Sequence, residues 1–144
     1  MGSGAGLAIG FGQTAYNIIE GDTAYSPTEA DGQVEASASF RARNAFVRVL
    51  ANTLNGASTI RIRKNGANGN LNVAIGAGVT GALEDTVNLD DFVAADSLNW
   101  QIVTGGAAGS MTLNIAGFEL QQPAGAAAPK MGSIPILMKV AGGI

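Results

Sequence analysis

The chain has 144 residues, about one domain's worth, and contains neither Cys nor His. That excludes thiol nucleophiles, Ser–His–Asp catalysis, disulfide staples and the commonest zinc and copper ligands. Charged residues are only 13% of the chain, against an ordinary share of roughly 25%, and the net charge of −3 gives no reason to expect nucleic acid as a partner. A surface so poor in charge suits a protein covered largely by copies of itself or by a partner. The 21 glycines argue against long helices.

Residues 1–32 read as an extended N-terminal arm. Met1 to Gly12 lacks a positive n-region and is broken by five glycines, so it is not expected to be a secretory signal. Gly6 stands where a myristoylation signal wants Ser or Thr. No strand or helix period is sustained across the segment, and its charges, Glu20, Asp22, Glu29 and Asp31, are all acidic. Such a stretch buries too little of itself to offset its ordering entropy. Phe11, Tyr16, Ile18, Ile19 and Tyr25 are then expected to find order against another molecule.

Residues 33–122 carry strand patterning. Val34, Ala36, Ala38 and Phe40 alternate with polar neighbours, the period of two of a half-buried strand. Arg41 to Asn44 breaks that phase. From Ala45 to Ala51, Val47, Val49 and Ala51 face one way while Phe46, Arg48 and Leu50 face the other, which predicts an interior strand or one facing both the core and a neighbouring subunit. Ile60 and Ile62 define the next strand, Asn65 to Asn70 a dense turn cluster, and Leu71, Val73 and Ile75 the returning partner of a hairpin. Thr80 to Leu89 follows as a strand of mixed pattern. Leu98, Trp100 and Ile102 mark another, and Met111, Leu113 and Ile115 the last. The apolar phase then shifts to Phe118 and Leu120 across Ala116 and Gly117, as a β-bulge does. Seven or eight short strands with regularly spaced turns predict an all-β antiparallel sandwich.

Residues 123–144 read as a linker and extended C-terminal arm. Pro123 to Pro129 is of low complexity, and the apolar run Ile134 to Met138 contains Pro135 and is far too short to span a membrane, so no membrane partner is expected. Ile134, Ile136 and Leu137 are its candidate partner contacts. Fully extended, the arms reach about 100 Å and about 70 Å.

Three constellations bear on chemistry. Gly76 to Gly81 spells GxGxxG, but it leads into residues that read as strand rather than as the helix a pyrophosphate needs. Glu84, Asp85, Asp90, Asp91 and Asp96 form an acidic cluster open to three readings: solvated loop acids, calcium ligands or a glycosidase pair. Six of the eight bases fall between Arg41 and Lys64 with no acid among them. Arg41, Arg43, Arg61 and Arg63 are therefore candidates for charge contacts between subunits with Asp85 and Asp91. The alternatives are neutralisation within one chain and plain solvation.

Ala51 to Gly66, Leu71 to Ile75, Gly78 to Gly81, Glu84 to Asn88 and Ala94 to Gly106 follow one another in an order that resembles the small jelly-roll proteins of tailed-phage virions, similar to the TNF/C1q-type sandwich. The resemblance spans about residues 51–120 and supplies no catalytic residue. It implies a jelly-roll body, a homotrimer and a head decoration, or cement, protein on the capsid surface that binds the major capsid protein through its arms. A tail-fibre or baseplate receptor-binding module is the alternative. No enzymatic activity and no cofactor are expected.

Overall fold

The structure, a computed structural model, describes residues 6–17, 19 and 25–122. Among them are nine strands: β1 (Leu7–Gly10), β2 (Thr14–Asn17), β3 (Val34–Glu35), β4 (Phe40–Asn52), β5 (Ser58–Lys64), β6 (Ala67–Ile75), β7 (Gly81–Phe92), β8 (Ser97–Val103) and β9 (Ser110–Gln121). A 3₁₀ turn, Glu29–Gly32, lies between β2 and β3. Every pairing is antiparallel. One sheet runs β1-β9-β4-β7 and the other β2-β8-β5-β6, with β3 also on β8. The chain forms the all-β sandwich that its alternation predicts.

Because β5 pairs along the whole of one edge of β8, β2 and β3 share the other edge end to end, against Trp100–Val103 and Ser97–Leu98 respectively. Counting β2 and β3 as one interrupted strand, the first strand pairs with the last and the second with the one before it. β4 then pairs with β7, and β5 with β6 closes the series.

Local chemistry explains the hairpin at the centre of this ribbon. Asn65 and Gly66 have φ of 50° and 76°, the two left-handed positions of a type I′ turn, whose twist matches the strands it joins. The turn needs only these two residues, and Ala67 to Asn70, expected as turn, belong to β6. The predicted strand from Val34 to Phe40 is instead divided. Val34 and Glu35 pair in one sheet, the chain crosses at Ala36, and Phe40 begins β4 in the other sheet. Hydrogen bonds from Ala36 N–H to Asp96 O and from Ala95 N–H to Ala36 O, both 2.8 Å, hold the crossing. The phase break near Asn44 is a bulge within β4, with Asn44 at φ 53°.

Inward-facing side chains of both sheets make one core. Ala42, Ala45, Val47 and Val49 of β4 meet Ile60, Ile62, Leu71, Val73, Ile75 and Ile102, all buried. An aromatic group closes one end: Phe40 stacks on Phe92 at 5.0 Å and on Phe118 at 6.3 Å, and Trp100 meets Phe118 edge-on at 5.9 Å. Lys64 Nζ lies 5.5 Å from the Phe92 ring centre, partly lidding the cluster.

The sandwich does not begin at residue 33. Residues 7–17 supply β1 to one sheet and β2 to the other, and Ile9, Ala15 and Ile19 are fully buried. The reason is geometric. Each strand is only four residues long, and Gly10 to Gln13 turns the chain between the two sheets, so no period is long enough to read. Thr104 fixes that turn: its Oγ1 donates to Gly10 O (2.6 Å) and accepts from Gln13 N–H (2.9 Å), while its own N–H donates to Gln13 O.

Phe118→Ala removes the ring shared by Phe40 and Trp100 and is expected to cost about 3–5 kcal/mol in urea unfolding. Phe11→Ala, at an exposed turn position, is expected to change stability by less than about 0.5 kcal/mol.

Candidate functional site

The basic and acidic blocks meet within one chain. Register partners across β4 and β7 share a face, which brings Arg41 to Asp91 in a bidentate pair, Nε to Oδ1 at 2.7 Å and Nη2 to Oδ2 at 2.8 Å. Arg63 holds Glu29 of the 3₁₀ turn through Nε and Nη2 at 2.8 and 2.9 Å, and also donates to Asn68 Oδ1 and Gly66 O. Arg43 lies 3.7 Å from Glu119, and Lys64 3.2 Å from Asp96. Hydrogen bonding to Arg63 holds the Glu29 carboxyl below its ordinary value, and Arg41 does the same for Asp91. Both arginines are pushed up in turn by these carboxylates. The fold thus places counter-ions for Arg41, Arg43, Arg63 and Asp91, which were expected to make charge contacts between subunits, on the same molecule. Arg61, half-buried on the outer face of β5, has no carboxylate within 4 Å among the described residues and donates to Thr59 Oγ1 at 3.4 Å.

Asp85 and Asp90 are not loop acids. Both lie on β7, are buried, and close the corner where the edge of one sheet meets the edge of the other. Asp90 accepts from the backbone N–H groups of Asn70 and Leu71 at 2.8–2.9 Å and from Asn70 Nδ2 at 3.0 Å. Asp85 accepts from Asn72 N–H at 2.9 Å, from Val87 and Asn88 N–H at 3.1 Å, and from Asn88 Nδ2. Gly69 is required at this seam, because a Cβ there would lie 2.6 Å from Asp90 Oδ2 and 2.8 Å from Ile62 O. Burial works to raise the Asp85 carboxyl, but the donors from Asn72, Asn88 and Val87 outweigh it and hold it below its ordinary value. These two acids hydrogen-bond the backbone of an edge strand. Asp85, expected to contact a second subunit, is buried and accepts its hydrogen bonds from amides of its own chain.

Among the described residues, no three His, Cys, Asp or Glu side chains are grouped to hold a metal ion, and no helix is long and apolar enough to cross a membrane. Gly76 to Gly81 links β6 in one sheet to β7 in the other, with a hydrogen bond from Val79 N–H to Gly76 O and Gly81 opening a strand. No helix follows it to receive a phosphate.

What remains outward-facing is apolar or uncompensated. On the outer face of the first sheet, Phe46 sits beside Glu84 and Gly117, Arg48 beside Ala82, and Arg43 beside Leu89. Leu50 and Leu89 are 42% and 38% exposed there. At its rim Val87 is 85% exposed on the bulge that Asp85 caps. Arg48 and Glu84 are exposed, and neither forms an ion pair among the described residues. The signal for this face was present in the sequence as the two-sided run Phe46 to Leu50.

The residues expected to bind a partner through the N-terminal arm divide. Ile19 is fully buried in the core and cannot serve. Tyr16 is half-buried on β2, with Gln101 Nε2 donating to its hydroxyl at 3.4 Å. Phe11 and Tyr25 stay exposed, and the Tyr25 hydroxyl donates to Gln13 Oε1 in the turn that carries Phe11. Ile18, Ile134, Ile136 and Leu137 lie outside the described residues. Comparison with protein-family models, curated proteins and solved structures finds no match for this chain.

Two tests follow from the seam. Asp90→Ala leaves the N–H groups of Asn70 and Leu71 without acceptors and is expected to cost about 2–3 kcal/mol in urea unfolding, with Asp90→Asn milder because one acceptor oxygen remains. For Asp85 the folded-state carboxyl is depressed, so its contribution is complete above the unfolded value of about 4 and is lost as pH falls through the folded value. Asp85→Asn is expected to be less stable than wild type at neutral pH and to lose less between about pH 4 and pH 2.5, measured by urea midpoints.

Proposed function

We propose that this protein is a virion structural protein, a homotrimeric decoration protein that stabilises a phage head by binding the major capsid protein, and not an enzyme. The observation that carries the reading is the outer face of the β1-β9-β4-β7 sheet. It exposes Leu50, Leu89 and Val87 together with unpaired charges of both signs, Arg48 and Glu84. Exposed apolar groups rimmed by charges of both signs suit a protein interface, and charges of both signs suit a heterologous contact repeated around a closed ring of copies.

The strand order gives a second line of support. Pairing first with last, and so inward to the β5–β6 hairpin, is how a long β-ribbon wraps into a jelly roll, which is the body that the resemblance implies. Phe11 and Tyr25, exposed together at the β1–β2 turn, and residues 123–144 are then the contacts offered to the shell. Several weak contacts per trimer multiply through effective concentration.

Light scattering of the purified chain is expected to give three times the 14.4 kDa chain mass, and the charge-reversed, apolar-depleted variant Arg48→Glu/Leu89→Asp is expected to give the single-chain mass. Purified particles are expected to hold copies in near-constant ratio to the major capsid protein, and removing residues 123–144 is expected to lower the temperature at which heads rupture. A few copies per particle would point to the tail module, and unchanged rupture would count against the cement role.

A further inference from the structure

β9 lies beside β4 along nearly its whole length, from Met111 to Gln121. Its other edge is occupied only at one end, where β1 pairs with Ser110 to Leu113. From Asn114 to Gln121, eight positions, that edge carries no strand among the described residues. A strand flanked on one side alone presents a row of free N–H and C=O groups, a template for main-chain pairing. Glu119, Leu120 and Gln121 are exposed along it.

The chain also contains a segment with the pattern to fill this edge. In residues 134–140 the apolar side chains Ile134, Ile136, Met138 and Val140 recur with a period of two. Seven residues of strand extend about 23 Å, close to the roughly 26 Å of an eight-residue edge. Pro135 removes one N–H, which a strand added at a sheet edge tolerates. Residues 123–144 contain Lys130 and Lys139 and no acid, while the one charge on the open edge is Glu119. Prolines 123 and 129 favour an extended linker by their backbone preferences.

We propose that residues 134–140 of one copy add as a strand to the β9 edge, Asn114 to Gln121, of a second copy. The inference rests on the oligomeric reading above, gives residues 134–140 to a second copy in place of a shell contact, and names how copies are tied: by main-chain hydrogen bonds, which do not depend on side-chain charge. The N-terminal residues 2–5 are the competing occupant, since they precede β1 in the sequence. Gly2 and Gly4 weaken them as a strand, and they bring no apolar face.

Because the chain has no Cys, introduced thiols report without background. Full-length Asn114→Cys and Gln121→Cys chains are each mixed with an Ile136→Cys chain during refolding, then treated with a short bifunctional maleimide. A two-chain band in the mixtures, absent when any of the cysteine chains is treated alone, is the expected result. Deleting residues 134–144 from every copy is expected to abolish the three-chain mass, and deleting residues 2–5 to leave it intact. A chain carrying both Asn114→Cys and Ile136→Cys that cross-links only within itself, with no two-chain band in the mixtures, overturns the proposal, as does a trimer that survives loss of residues 134–144 or needs residues 2–5. A full-length chain of single-chain mass overturns the oligomeric reading itself, so the two failures are told apart.

Discussion

Every open sheet has edges, and each edge strand must find acceptors for backbone N–H groups that face no neighbour. In this sandwich the constraint is met most fully at the corner between β6 and β7. Successive amides of β6, at Asn70, Leu71 and Asn72, donate to Asp90 and Asp85 of β7. The carboxylates thereby hold the two sheets in register along one side. The same Asp85 caps the bulge at Val87 and Asn88, so the corner that holds the sheets together also fixes the most exposed apolar side chain described. The opposite corner is joined by the chain itself, as the β1–β2 turn runs from one sheet to the other, fixed by the Thr104 hydroxyl.

Strands with long alternating runs were legible in the sequence: β4 around Val47 and Val49, β5 with β6, and β8 around Trp100 all fall where the period of two puts them. The two-sided pattern of Phe46 to Leu50 correctly implied an interior strand, since β4 lies between β9 and β7. What the pattern did not reveal was short or non-local. β1 and β2 have four residues each, and what makes them strands is the partner they meet about 85 to 105 residues later, β8 and β9. An apolar residue such as Ile19 reads as available for a partner when the surface that covers it lies far along the chain.

Acids misled for a related reason. A cluster of Glu and Asp reads as a solvated loop, a metal site or a catalytic pair, because sequence shows their proximity to one another and not to backbone donors. Asp85 and Asp90 lie five positions apart, and both face the same edge strand because the bulge between them changes the phase of β7. Without that bulge, residues five apart on a strand would face opposite ways. The arginines followed a simpler rule. Once β4 pairs with β7, and β5 lies beside the 3₁₀ turn, most of the basic block is matched to acids within one molecule, which leaves Arg48, Arg61, Glu35 and Glu84 without an ion pair among the described residues.

Arg61 lies on the β2-β8-β5-β6 sheet, but the exposed large apolar side chains of the strands are unevenly distributed. The outer face of the β2-β8-β5-β6 sheet carries Gln101, Asn99 and Arg63, and the 3₁₀ turn packs against its β2 and β8 strands, so that face already has a cover supplied by its own chain. The outer face of the other sheet has none among the described residues, and it bears Leu50 and Leu89, with Val87 at its rim. Exposed apolar area on a chain with few charges favours association, and it lies on the sheet whose last strand also ends in an unpaired edge. Two different kinds of unsatisfied surface, apolar and main-chain, thus converge on one side of the sandwich. That asymmetry is the physical basis for reading the protein as one built to be joined to others.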